Sequence, residues 1–338
     1  MWSDARSRWI DALLVVVVVF VVHGWAGTFW AEFTFDDRIL VESDQRLVVD
    51  GWDDVVTLAT TKYWGDHYGA ERLWRPLAQL TFAADRALLG PAPGGFHVMN
   101  VIYHAITCVL VLWLFRRLIP ARRAALFGAL IFAVHPVHAE AVVGIVGRSE
   151  VLALLLSTAG MLLHLRGRRR GSWWSYGGAA ACFFAAITAK EIALTAPFIA
   201  AVIEIAVPAS SDGRAVKQTW VERLLPYGLY VVALAGYFGC RYEVLGGLSP
   251  SVGAQTLGAL SGGERVLVAA ETTRDNFLAT LLPQPTSAFY PFSRPDTSNW
   301  VLYGTVACHV AFVSLAGAAA LLGKNAGARA IGLAVLGF

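Results

Sequence analysis

The sequence predicts an all-α membrane protein, a polytopic bundle of about eight transmembrane helices with two long extracytoplasmic loops. Three observations predict this class. The 338 residues are 57% hydrophobic and only 15% charged, whereas a soluble domain carries roughly 25% charged residues. Apolar runs long enough to cross roughly 30 Å of hydrocarbon recur along the chain. Basic residues concentrate in every second connection between these runs, which is typical of cytoplasmic loops.

The first apolar run extends from Ile10 to Ala31 and follows Arg6 and Arg8. We interpret it as an uncleaved membrane anchor, because its apolar core is longer than that of a typical signal peptide. Trp25 and Trp30 near its end favour a membrane interface, where indole rings concentrate.

Further apolar runs alternate with short connections along the chain. The runs cover 97–115, 124–142, 149–165, 173–189, 192–207, 225–240, 300–322 and 326–338. The basic connections hold Arg116, Arg117, Arg122 and Arg123, then Arg166 with Arg168, Arg169 and Arg170, then Arg214, Lys217 and Arg223, and finally Lys324 and Arg329. This pattern predicts a cytoplasmic N-terminus and an extracytoplasmic position for loops 32–96 and 241–299. Because the last run stops at Phe338, we expect residues 1–338 to be a single membrane domain at the front of a longer protein.

The outer loops carry amphipathic stretches that we predict to be interfacial helices. The stretch 75–89 places four residues on one helical face, namely Leu77, Leu80, Ala84 and Leu88. A second helix is predicted from Asp53 to Trp64. The stretch Val266–Leu282 is apolar at both ends, but it carries three charged residues in the middle: Glu271, Arg274 and Asp275. Charges at the bilayer centre cost at least about 2.5 kcal/mol each, so we predict an interfacial helix rather than a span.

Composition excludes two classes of site. The net charge of +3 is too small to indicate a nucleic-acid partner. The four cysteines lie in or beside apolar runs without a CxxC spacing, so we interpret them as packing residues.

The pair Asp36–Asp37 follows the first run directly. Adjacent carboxylates at a membrane surface raise one another's pKa or share a cation, and such a carboxylate is suited to take a proton from a hydroxyl. The alternative is an ordinary turn or helix cap. Arg72 and Arg75 flank a tryptophan before Pro76 and are suited to grip a phosphate; the alternative is a pair of interface anchors.

Imidazole and carboxylate groups gather at the outer end of the third run. His135, His138 and Glu140 have a spacing that a divalent metal accepts, although an isolated pair of histidines more often belongs to a hydrogen-bonded turn. Arg148 opens the fourth run.

The pair Lys190–Glu191 lies between two further runs. The predicted topology puts these acidic, basic and imidazole groups on one face of the membrane, and intramembrane or near-membrane charges usually mark a site or an ion pair.

Five stretches, taken in order, resemble the TMTC-type protein O-mannosyltransferases of the GT-C superfamily of polyprenyl-phosphate-sugar glycosyltransferases. They are FTFDDRIL, WRPLAQLTFAADRALLG, FHVMNVIYHAITCVL, LIFAVHPVHAEAVVGIVGRSEVLALLL and AKEIALTAP. The resemblance covers about residues 30–200 and implies a GT-C-type membrane bundle.

The resemblance also implies a reaction and a site. It implies a lipid bilayer and a polyprenyl-phosphate-linked sugar, with mannose as the expected sugar, and a protein or glycan hydroxyl as acceptor on the extracytoplasmic side. It implies that Asp36 or Asp37 acts as the catalytic base. It implies that the donor phosphate is bound by Arg72, Arg75, Arg148 and Lys190. The supporting residues are His135, His138, Glu140 and Glu191, of which His135, His138 and Glu140 are candidate ligands of a divalent metal.

Two other classes remain open from the sequence. Intramembrane charges also serve transporters or flippases, but we see no internal repeat, and loops of this length are unusual for that class. A non-catalytic assembly factor would keep the fold without the reaction.

Overall fold

The computed structural model describes residues 2–65, 72–119, 121–206, 219–247, 260–281 and 303–304. Within these ranges the chain is helical and contains no strand, which confirms the predicted all-α class. The chain divides into two units, Met1–Pro197 with Ala209–Ser249, and Phe198–Pro208 with Pro250–Phe338. A single membrane domain over 1–338 stays a prediction.

The helices follow the apolar runs of the sequence. In chain order they are α1 (Trp2–Trp25), α2 (Trp52–Ala59), α3 (Pro76–Leu89), α4 (Pro93–Leu118), α5 (Arg122–Val134), α6 (Ala139–Val143), α7 (Arg148–Arg170), α8 (Trp173–Ala189), α9 (Ala196–Ala206), α10 (Trp220–Leu245) and α11 (Gly262–Leu281). The helix predicted from Asp53 to Trp64 is therefore present as α2, but it ends at Ala59.

Among the described residues, three helices are long and apolar enough to cross a membrane: α1 from Ser7, α4 and α7. A fourth qualifies if α5 and the segment Pro136–Val143, bent by 44°, form one broken span. The chain is therefore a membrane protein. The figure of eight spans and the orientation stay predictions, since α8 and α9 are shorter and the run 300–322 lies almost wholly outside the described residues.

The bend lies at Pro136, where this residue interrupts the helix. Proline lacks the N–H that an α-helix needs and clashes with the preceding turn. The chain leaves α5 at Val134, makes a single 3₁₀ turn over Pro136–His138 and resumes as α6.

Two apolar cores support the first unit. One joins α1, α4, α5 and α7 through small and β-branched residues such as Val15, Val101 and Ala129, and it includes Cys108 as a packing residue. In the other core, residues of the first outer loop, among them Val41, Leu58 and Phe82, pack against Phe96 of α4 and Ile145. This second core holds the predicted site residues of the loop in place.

The helix predicted over 75–89 is present as α3, and two residues of its apolar line are exposed. Leu88 is 81% exposed and Ala84 is exposed. The opposite face is buried and carries Pro76, Ala78, Gln79, Phe82, Ala83 and Asp85. On this face Asp85 pairs with an arginine of α7. Contact of the other face with lipid stays a prediction.

The described part of the second unit contains α11, which covers the predicted interfacial stretch. Its three central charges form a local group, because Nη2 of Arg274 lies 2.7 Å from Oδ1 of Asp275 and 3.5 Å from Oε1 of Glu271. Its position at a membrane surface stays a prediction.

Candidate functional site

Asp37 is buried, and both oxygens of its carboxylate accept hydrogen bonds. The residue is 1% exposed. Oδ2 accepts hydrogen bonds from the backbone N–H and the hydroxyl of Thr34, both at 3.2 Å. Oδ1 accepts from the backbone N–H of Val146 at 2.9 Å. Asp37 therefore ties the loop after α1 to the turn before α7.

Asp36 has the opposite environment. It is exposed, and no described residue gives its carboxylate a hydrogen bond. Partial desolvation raises the pKa of Asp36, and the negative charge of Asp37 raises it further. The backbone before it is strained, because Phe35 adopts φ 43°, a left-handed conformation that is rare for a bulky residue. Such strain costs roughly 1–3 kcal/mol and tends to occur at functional sites.

Tyr63 lies within electrostatic range of Asp36, and its backbone holds it in place. Its N–H donates to the carbonyl of Leu73 at 2.8 Å, and its own carbonyl accepts from Nε2 of Gln79 at 2.9 Å. Burial raises the pKa of Tyr63, and the negative charges of Glu150 and Asp36 act in the same direction. The residue is 2% exposed. Its ring lies 5.3 Å from Cζ of Arg75.

Arg75 belongs to an ion network that joins three parts of the chain. It donates from Nε and Nη2 to Oε2 of Glu191, at 3.1 and 3.0 Å. Arg241, at the end of α10, donates to Oε1 of Glu191 at 3.3 Å and to the carbonyl of Arg72 at 2.9 Å. Two guanidinium groups thus share one carboxylate.

Lys190, the neighbour of Glu191, pairs with Glu150 at the start of α7. This contact brings the segment after α8 next to the turn that Asp37 holds. Four cations of the described ranges lie in this network together with Glu150 and Glu191, and Asp36 adds a further carboxylate near Tyr63. The cations are Arg72, Arg75, Lys190 and Arg241. Arginine and lysine side chains are suited to bind a phosphate.

Arg148 is placed differently from the other predicted phosphate-binding residues. It is 0% exposed and forms an ion pair with Asp85. Its Nε donates to Oδ1 of Asn100 at 2.7 Å, and its Nη2 donates to the carbonyl of Phe96 at 3.0 Å. Cζ lies 4.5 Å from the centre of the Phe82 ring. These contacts give Arg148 a packing role and leave no surface for a lipid phosphate.

The two predicted histidines lie apart from this ion network. Nδ1 of His135 accepts from the backbone N–H of Val137 at 3.2 Å, so His135 makes the turn that was the simpler interpretation. The His138 ring packs against Phe132 and His104 in tilted arrangements, with centroid distances of 4.4 and 5.3 Å. Glu140 is exposed on α6.

Within the described ranges, no group of three or more histidine, cysteine, aspartate or glutamate side chains is close enough to hold a metal ion. The residues His135, His138 and Glu140 do not fit a metal site in this arrangement, because His135 caps a turn and His138 packs against Phe132.

The structure therefore brings together the loop after α1, the start of α3, the turn before α7 and the segment after α8. Sequence reasoning missed Tyr63, Arg241 and Asp85. Arg241 directly follows an apolar run, a position where a charge often marks a site. Asp85 lies between apolar residues of a helix, and a buried partner is the usual reason for such a placement. Tyr63 carries no such signal.

Comparison with known proteins identifies relatives over about half of the chain. The chain is 31% identical over 193 residues to Protein O-mannosyl-transferase Tmtc1 of Drosophila melanogaster, covering 56% of this chain and 22% of the relative. It is 35% identical over 161 residues to Protein O-mannosyl-transferase TMTC4 of Homo sapiens, covering 43% of this chain and 21% of the relative. The chain thus spans about a fifth of the length of these relatives. No family model and no solved structure matches it.

Proposed function

Over about half of its length this chain is related to the TMTC-type protein O-mannosyltransferases, and on that premise we propose that it is a membrane glycosyltransferase. The donor is a polyprenyl-phosphate-linked sugar, with mannose the sugar we expect. The acceptor is a hydroxyl of a protein or glycan on the extracytoplasmic side.

The observation that carries the proposal is the difference between two adjacent carboxylates. Asp37 is enclosed by Thr34 and Val146. Asp36 is exposed, and its pKa is raised. A general base must reach the proton that it takes, and it is most effective when its pKa lies near the working pH. We therefore assign Asp36 as the base and Asp37 as the residue that positions it.

The reaction is a single displacement. Asp36 accepts the proton of the acceptor hydroxyl while the oxygen of that hydroxyl attacks the anomeric carbon of the sugar. The bond between that carbon and the phosphate oxygen breaks, the configuration inverts, and the polyprenyl phosphate leaves with the bonding electron pair.

The leaving phosphate gains negative charge as this bond breaks. Arg72 and Arg75 are the cations that we assign to it, with Lys190 nearby. Glu191 holds Arg75 in a fixed direction through two hydrogen bonds to one oxygen. Preorganised cations stabilise such developing charge without reorganising during the step, and losing one donor typically costs about 10²–10³ in kcat. Arg148 is not assigned to this role, because Asp85 and Phe96 enclose its guanidinium.

The experiment that tests the proposal is transfer of label from radiolabelled polyprenyl-phosphate-mannose by the purified chain in detergent or lipid. Acceptors include serine- and threonine-containing peptides and free glycans. The proposal expects label in an O-glycoside of inverted configuration that survives mild acid, which hydrolyses the glycosyl phosphate of the donor. Absence of transfer to every hydroxyl acceptor, by the chain and by a longer form of the protein, would contradict it. Movement of intact donor across a vesicle membrane without a new glycoside would instead indicate a flippase.

A further inference from the structure

A basic cavity opens at the opposite ends of α4 and α7 from Asn100 and Arg148. Its volume is ≈ 890 Å³, within the range of pockets that enclose small-molecule ligands. Five arginines line it: Arg8, Arg116, Arg117, Arg122 and Arg166. None of the lining residues in the described part of the chain is acidic.

The walls of this cavity are amphipathic. Trp9 of α1 and Trp113 of α4 meet edge to face, with ring centroids 6.3 Å apart and planes at 85°. Leu162 and Leu163 of α7 add apolar surface on the facing wall. Arginines next to tryptophan and leucine at the end of a span are suited to a molecule with an anionic head and an apolar body.

Two arginines of the cavity contact a buried aspartate of α1. Asp11, which is 3% exposed, binds both Arg116 and Arg122. One carboxylate thus serves two guanidinium groups. Nε of Arg116 is buried and has no hydrogen-bond partner among the described residues. Arg117 lies in the repulsive field of Arg8, Arg166, Arg169 and Arg170. An anion in the cavity would relieve this repulsion and supply the missing acceptor.

We propose that the cavity binds the phosphate headgroup of an anionic phospholipid, with an acyl chain along the tryptophan and leucine wall. The apolar wall favours a lipid over free phosphate, because inorganic phosphate would leave that surface without a partner. The predicted topology puts this end at the cytoplasmic leaflet, whose anionic lipids attract basic segments and occupy basic pockets between spans. The proposal does not depend on the transferase reaction.

The test measures binding of short-chain phosphatidylglycerol, phosphatidylcholine and inorganic phosphate to the purified chain in detergent. The informative variant is Arg117→Gln/Arg166→Gln, in which both altered side chains are exposed. The matched control is Arg123→Gln/Arg170→Gln, which removes the same charge from exposed arginines outside the cavity lining. We expect phosphatidylglycerol affinity to fall about 10- to 30-fold in the first variant and less than about threefold in the control.

Folding is checked by the thermal unfolding midpoint of each variant. A second measurement needs no variant, since the unaltered chain must prefer phosphatidylglycerol to phosphatidylcholine and lose this preference at high salt. Equal affinity for the two lipids, or equal weakening by the two variants, would overturn the proposal. Inorganic phosphate that binds as tightly as phosphatidylglycerol, with the same dependence on Arg117 and Arg166, would identify a free-phosphate site and overturn the lipid assignment.

Discussion

Oδ1 of Asp37 accepts a hydrogen bond from the backbone N–H of Val146 at 2.9 Å, and this contact joins two segments that are 109 residues apart in the chain. Its other oxygen is taken by Thr34. The contact fixes the backbone on which Asp36 is presented. Adjacent residues with the same side chain thus have different roles because only one of them is enclosed.

The enclosed carboxylate predicts a stability effect. Asp37→Asn replaces one acceptor oxygen by an NH₂ group, which faces a donor that stays buried. Hydrogen bonds to charged groups contribute about 1.5–3 kcal/mol, so we expect a loss of this size in the free energy of unfolding. Titration with denaturant in detergent measures it. Glu42→Gln, an exposed substitution in the same loop, serves as the control and should change stability little.

Asp37 also predicts a shift in pH dependence. The charge of Asp37 contributes to the raised pKa of Asp36, so the acid limb of kcat/KM should lie above the ordinary aspartate value of 3.8. Activity is lost as the pH falls through the pKa of the base. In Asp37→Asn the limb should move to lower pH, because the neighbouring negative charge is gone. An acid limb that stays in place in a folded Asp37→Asn variant would contradict the electrostatic part of the account.

Asp36 itself predicts an unusual stability response. Its pKa in the folded protein is raised, so its ionised form destabilises the fold at neutral pH, and this effect disappears as the pH falls through that pKa. Asp36→Asn should therefore leave the thermal unfolding midpoint at pH 7 unchanged or higher, as is common where a functional group is kept at the expense of stability. A marked decrease in the midpoint would indicate that Asp36 is a structural residue.

The buried pair of Arg148 and Asp85 predicts a large loss when one partner is removed. Arg148→Met leaves the Asp85 carboxylate buried without a cation, and such a change typically costs about 3–5 kcal/mol. The double variant Arg148→Met/Asp85→Leu should recover most of this loss, since it leaves no buried charge. Urea or guanidinium unfolding measures both. Arg123→Met, at an exposed position, is the control. A single variant that loses less than about 1 kcal/mol would contradict the packing role.

Gly147 predicts a steric effect at the turn that holds Val146. A methyl group at this position would lie 2.5 Å from the carbonyl O of Ala141 and 2.7 Å from its Cα. Gly147→Ala must therefore move this turn and weaken the contact with Asp37. Gly177 is the matched control, because a methyl group there meets nothing within 4 Å, and alanine is favoured over glycine in a helix by about 1 kcal/mol. Equal unfolding midpoints of the two alanine variants would argue against a close approach at Gly147.

The helical class and the break at Pro136 were predictable, because hydrophobic run length and proline chemistry act locally. The buried face of α3, with Gln79 and Asp85, was not predictable, because the ion pair of Asp85 with Arg148 joins distant parts of the chain. The apolar line through Leu77 and Leu88 predicts an interfacial helix, and its contact with lipid stays a prediction.

The candidate site was predictable in part. Asp36 and Glu191 were recognisable as charges close to the ends of apolar runs, and Arg75 by its position next to a tryptophan. The difference between Asp36 and Asp37 was not, because it depends on the position of Val146 in space. The spacing of His138 suggested a metal ligand, yet its ring packs against Phe132. Residue spacing alone does not distinguish a metal ligand from a ring that packs against another aromatic side chain.

The most direct test of the account is the rate of sugar transfer from polyprenyl-phosphate-mannose by Asp36→Asn compared with Glu42→Gln, both folded to the level of the unaltered chain. Loss of a positioned general base typically lowers the rate about 10²–10⁴-fold. The account predicts a loss of this size for Asp36→Asn and near-normal transfer for Glu42→Gln. Transfer by a folded Asp36→Asn variant at the rate of the unaltered chain would contradict the assignment of Asp36 as the base.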